Sequence, residues 1–233
     1  SCEKNNVKIN YNSFASKTDV LSEKPDIVII ATGGIPNNQI LEEGSDLVFS
    51  SWDIISGNIN IKDEVILYDD NGYFSGLQAA QIISEKASSL EIISPERFFS
   101  PEVGGMNFVP YGKHFFEKNV KISINKRINK VYKKGNRLGV IVSSDYSDKT
   151  FEKETSQVII EHGTLPLEKL YFKLKTNSKN LGEVDYKSLI KGMNKEINKN
   201  DKGDYFLYRV GDAVSSRNIH AAIYDSLRIC KDI

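Results

Sequence analysis

Cysteine and histidine are scarce in this sequence: two and three among 233 residues. Cys2 and Cys230 stand at opposite ends, so the chain holds neither a disulfide framework nor a zinc-ligand spacing, and no metal site is expected. Charge of one sign is not in excess either. The 31 basic and 31 acidic side chains cancel, which gives no support for binding nucleic acid or a membrane surface. Long hydrophobic runs are missing; the longest, Ile27 to Ala31, falls far below the roughly 20 residues of a membrane span. No initiator Met and no signal-peptide pattern opens the chain, so a cytoplasmic protein is expected. Cys230 lies on an apolar helical stripe and is expected to be a buried, inert thiol. No fixed-period repeat occurs.

What the sequence has is alternating strand and helix signals. Val7 to Tyr11 alternates apolar and polar residues, as in a short half-buried strand. Asp26 to Ala31 is continuously apolar and β-branched, as in a strand covered on both faces, and Thr32-Gly33-Gly34 ends it. Ser51 is placed to cap a short helix, Trp52 to Ile55. Glu64 to Tyr68 reads as a second buried strand. A turn through Asp69-Asp70-Asn71-Gly72-Tyr73 follows, and a helix over residues 76–87 with Ser75 as N-cap. The strand Leu90 to Ile93 completes a βαβ unit. Met106 to Lys118 reads as a helix and Val120 to Ile124 as a strand. From Asn129 to Ile160 short alternating runs predict an antiparallel meander. A polar stretch, 183–201, contains a short helix near Tyr186 to Ile190. Tyr205 to Val210 is the last strand and 218–229 the last helix, with Ile219, Ile223 and Leu227 on one stripe.

Three motifs carry chemistry: Ala31-Thr32-Gly33, the βαβ unit starting at Val65, and Arg209-Val210-Gly211-Asp212-Ala213 leading into a helix. Gly211 allows close backbone approach to a ligand. Asp212 either contacts a ligand or caps the last helix, whose N-terminus around Asn218 and Ile219 favours phosphate. His220, one turn in, either reaches that site or is structural. Thr32, Gly33 and Gly34 either adjoin a cofactor or form an ordinary turn. In the second motif a dinucleotide fingerprint needs three glycines. Gly76 takes the third position, Gly72 falls out of register, and Asn71 and Tyr73 occupy the first two. Tyr73 would fill the pyrophosphate space, and Asp69 and Asp70 would repel a pyrophosphate. Glu96 follows the next strand, near where an acid meets an adenosine ribose. NAD(P)H is therefore expected not to bind tightly. His162 is expected to be structural and His114 exposed.

The order of the motifs resembles two-dinucleotide-domain flavoproteins of the pyridine nucleotide-disulfide oxidoreductase type. More closely, Pro25 to Gly34, Ile160-Glu161-His162-Gly163-Thr164-Leu165-Pro166, and Arg209 to Ala213 with Ser216 to Asp225 resemble the C-terminal part of the NADH:flavin oxidoreductase family. That family includes trimethylamine dehydrogenase and 2,4-dienoyl-CoA reductase, and the last two segments look most like its N-methylproline demethylase branch. The resemblance implies an α/β fold of two Rossmann-like, FAD/NAD(P)-binding-type lobes. The first is incomplete (residues 1–60 plus 168–233). The second (61–167) is inserted and carries the meander. It implies FAD or ADP at the first lobe, through Thr32, Gly33, Gly34, Gly211, Asp212, Asn218, Ile219 and His220. The first phosphate-binding turn does not precede residue 7, which weakens that site. FMN and a 4Fe-4S cluster would belong to an upstream barrel domain of the same protein. The implied parent is an N-methyl amine or amino acid demethylase or dehydrogenase, of which this chain is a non-catalytic fragment. A non-catalytic scaffold and an NADPH-dependent dienoyl-CoA-reductase-like enzyme are the alternatives. A truncated sheet also implies self-association.

Overall fold

A computed structural model describes residues 2–193 and 197–231. Part of the polar stretch at 183–201 therefore lies outside the described residues. The chain divides into two compact units, Ser1–Ile35 with Leu165–Ile233, and Pro36–Thr164.

In the first unit a short 3-10 helix (Cys2–Asn5) precedes helix α1 (Lys17–Ser22), where Ser16 and Asp19 form a reciprocal capping box. Strand β1 (Ile27–Ile30) follows, and the chain leaves the unit in β2 (Gly34–Pro36). Val7 to Tyr11, expected as a strand, is irregular and exposed. Its alternating pattern finds no partner strand to satisfy the backbone.

The second unit opens with β3 (Phe49–Ser50) and α2 (Ser51–Ile55). Ser50, not Ser51, is the N-cap of α2, because its hydroxyl accepts from the Asp53 amide while Asp53 returns a bond. Then come β4 (Glu64–Asp69), α3 (Phe74–Lys86), β5 (Ser89–Ile93), α4 (Gly105–Glu117) and β6 (Lys121–Ser123). Three long strands follow: β7 (Arg127–Lys134), β8 (Arg137–Ser144) and β9 (Ser147–Thr155). They form an antiparallel meander of their own. β10 (Gln157–Glu161) does not extend it. It runs parallel to β3 and β4 inside a five-stranded sheet of order β3-β10-β4-β5-β6. All five of its residues are buried, the mark of a strand covered on both faces rather than of a meander edge. One face packs Val65, Leu67 and Ile159 against Leu77, Ile83 and Phe115 of α3 and α4. The other packs Ile66, Tyr68 and Ile160 against Val131, Val140 and Val142 of the meander. The sequence boundary at 60/61 falls instead at 35/36. Ile54 joins the α3-side core and β3 pairs with β10, so residues 36–60 belong to this unit.

The chain re-enters the first unit through β11 (Thr164–Pro166), then forms α5 (Lys169–Lys175), α6 (Tyr186–Ile190), β12 (Phe206–Arg209) and α7 (Ile219–Lys231). β12 pairs parallel with β1. Val28, Ile30, Leu174, Tyr205 and Leu207 make its core. Cys230 is exposed on α7, not buried. Ile219, Ile223 and Leu227, on the same stripe, are also exposed: among the described residues of this unit nothing covers that side of α7.

Candidate functional site

In the first unit the site grows from the carboxyl ends of two parallel strands. This is where open α/β sheets bind ligands. Gly33 stands just past the end of β1 and Gly211 just past the end of β12, at φ +69° and +61°. A Cβ on Gly211 would lie 3.1 Å from the Ala222 side chain, so this glycine lets the strand end meet α7. The Gly211 amide donates to Asp225 Oδ2 at 3.3 Å. Asp225 is paired in turn with Arg217, and the Arg217 amide donates to Asp212 Oδ1 at 3.2 Å. Asn218 caps α7, its Oδ1 accepting from the Ala221 amide at 2.9 Å. Asp212 is therefore not the cap.

These groups surround a cavity of about 380 Å³ lined by Gly33, Gly211, Asp212, Asn218 and Ile219, among others. Five of the residues singled out in the sequence thus meet. Three do not. Thr32 donates its hydroxyl to the Leu167 carbonyl at 2.6 Å, Gly34 lies in β2, and His220 is exposed and does not line the cavity. Arg217 and Asp225, which lay within a quoted segment, carried no motif signal of their own. Arg209 was missed as well. Its guanidinium stacks on Tyr171, 4.5 Å from the ring centroid, pairs with Glu168, and donates to the Ala213 carbonyl at 3.3 Å. It ties the turn Gly211–Ala213 to β12.

The second unit has the strand–turn–helix of a dinucleotide site but not its free amides. Asp69, the last residue of β4, is fully buried. Its Oδ1 accepts from the amides of Asn71 at 3.0 Å and Gly72 at 2.9 Å. These are amides a pyrophosphate would need, just ahead of α3, whose N-cap Tyr73 offers no side-chain cap. The other oxygen, Oδ2, has no hydrogen-bond partner. A Cβ on Gly76 would stand 2.0 Å from it, so Gly76 is there to admit a carboxylate. From the other side Pro101 covers Gly72, 2.7 Å from where its Cβ would be. Burial, the backbone bonds to Gly72 and Asn71, and the nearby Glu161 carboxylate set the Asp69 carboxyl; burial dominates and pushes it up to about 7.

Around it, Glu161 at the end of β10 accepts from Ser51, from Asn71 Nδ2 at 3.0 Å and from the Gly163 amide at 3.0 Å. Asp70 meets His162 Nδ1 at 2.7 Å. His114 is half-buried, not exposed, and meets Ser84 Oγ at 2.9 Å. Glu96 is exposed and bonds through its backbone. This turn does not fit a dinucleotide: an internal carboxylate already holds its amides.

The mixed parallel and antiparallel α/β fold is shared with solved structures of larger proteins. Thioredoxin reductase from T. acidophilum is similar over 88% of this chain and 64% of its own, at 18% identity with a TM-score of 0.59. Histamine dehydrogenase from Rhizobium sp. 4-9 is similar over 98% of this chain and 32% of its own, at 17% identity and TM-score 0.77. In sequence, the chain is 43% identical over 232 residues to a probable N-methylproline demethylase of Rhizobium meliloti, covering all of this chain and 34% of the relative. It is 35% identical to an N,N-dimethylglycine/sarcosine dehydrogenase of Chromohalobacter salexigens, over 97% of this chain and 34% of that protein. The chain thus spans about a third of these curated relatives, which are oxidoreductases and demethylases named for N-methylated substrates. No family model matches. Among the described residues no helix is long and apolar enough to cross a membrane.

Proposed function

We propose that this chain is the nucleotide-binding-type part of a flavin-dependent oxidoreductase acting on an N-methylated amine or amino acid. The observation that carries the reading is the cavity where Gly33, Gly211 and Asp212 meet the N-terminus of α7, in a chain 43% identical throughout to part of a probable N-methylproline demethylase. Gly33 leaves open space above the strand end. Asp212 offers a carboxylate for a ribose hydroxyl, and the capped start of α7 favours a phosphate. At about 380 Å³ the cavity is at the small end of the roughly 300–1,000 Å³ of ligand pockets, which suits an ADP moiety better than a whole FAD. FMN and the iron–sulfur cluster of the parent, with the redox chemistry they supply, belong in this reading to an upstream barrel of the same protein. This chain binds and orients a nucleotide and carries no reacting group. An NADPH-dependent, dienoyl-CoA-reductase-like role is disfavoured by the carboxylate seated in the turn of the second unit.

Calorimetric titration tests this. ADP should bind with a micromolar dissociation constant. Asp212→Ala should weaken it about tenfold, through loss of a charge-assisted hydrogen bond. NADH should give no heat. If ADP and FAD both fail to bind, the chain is a scaffold with decayed sites; NADH binding with protection of the Gly72 amide would reopen the second-unit turn.

Self-association is part of the same reading. Ile219, Ile223 and Leu227 recur every four residues on α7 and are 71%, 61% and 62% exposed, a contiguous stripe of the kind that marks an interaction face. Light scattering at high concentration should show dimers or larger species, and Ile223→Lys should shift them toward monomer. A monomeric profile at all concentrations would count against it.

A further inference from the structure

A second cavity, of about 710 Å³, lies in the second unit between the loop 97–104, the first turn of α4 and the end of β6. Its wall is apolar: Phe98, Phe99, Phe108, Ile122 and Ile124. Its polar groups are few, and two of its side chains have no partner among the described residues. Arg97 is exposed and has no ion-pair or hydrogen-bond partner among the described residues. Ser100 is 3% exposed, and its hydroxyl oxygen is buried without a hydrogen-bond partner. α4 begins at Gly104–Gly105, which line the cavity, with no side-chain cap and no acid in its first turn; the dipole at such a start favours a negative charge. A buried hydroxyl without a partner destabilises the fold, a loss that a ligand atom at Oγ would offset.

We propose that this cavity binds a flat aromatic monoanion, an aryl carboxylate, with its ring among Phe98, Phe108, Ile122 and Ile124 and its carboxylate at Arg97, Ser100 and the start of α4. Size and polarity fit an organic ligand rather than an ion: the volume is mid-range for small-molecule pockets, and the lining is aromatic with few convergent polar groups. Charge sets the valence. Of the described residues lining the cavity, Arg97 is the cation and Glu102 the anion. With the positive end of α4 added the balance is slightly positive, which favours a monoanion over a dianionic phosphate that would face the Glu102 carboxylate. A dinucleotide cannot reach across from the neighbouring turn, because Asp69 holds the Asn71 and Gly72 amides and Pro101 lies over Gly72. Arg97 supplies what a carboxylate recognises best, a planar fork of donors.

The test uses the full chain and biphenyl-4-carboxylate, followed by amide chemical shifts and calorimetry. Saturable one-to-one binding is expected, with the largest shifts at Ser100, Gly104 and Gly105. Arg97→Ala should weaken it about tenfold, and neutral biphenyl-4-carboxamide should bind the wild type about tenfold more weakly, as expected for loss of a charge-assisted pair. Arg97 is exposed, so its variant should melt at the wild-type temperature. Ser100→Ala should weaken the acid less than Arg97→Ala. Equal affinity for acid and amide, no effect of Arg97→Ala, or absence of saturation would overturn the proposal. So would AMP saturating the same amides more tightly than the aryl acid, which would make the cavity a nucleotide subsite. None of these outcomes depends on ADP binding in the first unit.

Discussion

Replacing Gly76 with alanine should destabilise the chain by about 3 kcal/mol or more, with the sign opposite to helix propensity. Gly76 lies in the first turn of α3, where alanine alone would favour the helix by up to about 1 kcal/mol. The added Cβ, however, would stand 2.0 Å from Asp69 Oδ2 and 2.6 Å from Asp69 Cγ. Asp69 cannot swing aside cheaply. It is a short side chain with no exposed surface, held at its other oxygen by two amides. Relieving the clash means breaking those bonds in a buried place or shifting α3 away from the sheet, against the packing of Leu77 and Ile83 on Leu67. Urea denaturation of the single variant and of Gly76→Ala with Asp69→Ala separates the steric from the local effect. The double variant should recover at least about 1 kcal/mol relative to the sum of the singles, since touching residues couple. Additive losses, or a Gly76→Ala variant as stable as the wild type, would show that Asp69 is not pinned there.

The same turn shows what a sequence can and cannot disclose. The run Val65 to Tyr68, the turn and the helix were legible because continuous β-branched residues followed by helical spacing have few other readings. Tyr73, as a filler of the pyrophosphate space, and Asp69 and Asp70, as repelling charges, were the expected obstacles. The actual arrangement was not legible: the Asn71 and Gly72 amides are held from beneath by Asp69, and Gly76 is small for the sake of a side chain seven positions earlier. Sequence spacing gives no distance between a strand end and a helix that turns back over it. β10 was misplaced for a related reason. Val158, Ile159 and Ile160 follow a hairpin meander and look like its continuation, but their burial on both faces comes from long-range parallel pairing with β3 and β4. In the first unit Gly33, Gly211, Asp212, Asn218 and Ile219, singled out because glycine and acid at strand ends have a local reason, line one cavity. Arg217, Asp225 and Arg209 act through partners remote in sequence or through ring stacking, and an isolated arginine carries no such signature. Cys230 was expected to be buried because it lies on the apolar stripe of α7, but amphipathic periodicity says which side is apolar, not whether anything lies against it.

Asp69→Asn should flatten the pH dependence of stability and raise stability at alkaline pH. The Asp69 carboxyl is raised from the ordinary value near 3.8 to about 7, chiefly by burial. A raised carboxyl binds its proton more tightly folded than unfolded, so the folded state gains fully below about pH 4. That advantage is lost as pH climbs from about 4 to about 7, and above about 7 the buried carboxylate is carried as a charge. A displacement of this size corresponds to roughly 2–4 kcal/mol between the two ends of the window. Asparagine keeps an oxygen for the Asn71 and Gly72 amides and presents a neutral group toward Gly76. At pH 8 the variant should therefore be more stable than the wild type by an amount of that order, and near pH 4 the two should agree to within about 1 kcal/mol. Asp70, paired with His162, and Glu161, bonded to Ser51, Asn71 and the Gly163 amide, remain in both proteins. Denaturant midpoints taken from pH 4 to pH 9 supply the measurement. Parallel curves for the two proteins would mean that Asp69 is ionised throughout and paid for by its two amides. Curves diverging between pH 4 and pH 7 would mean that the turn has exchanged a ligand's phosphate for a proton-binding carboxyl of its own.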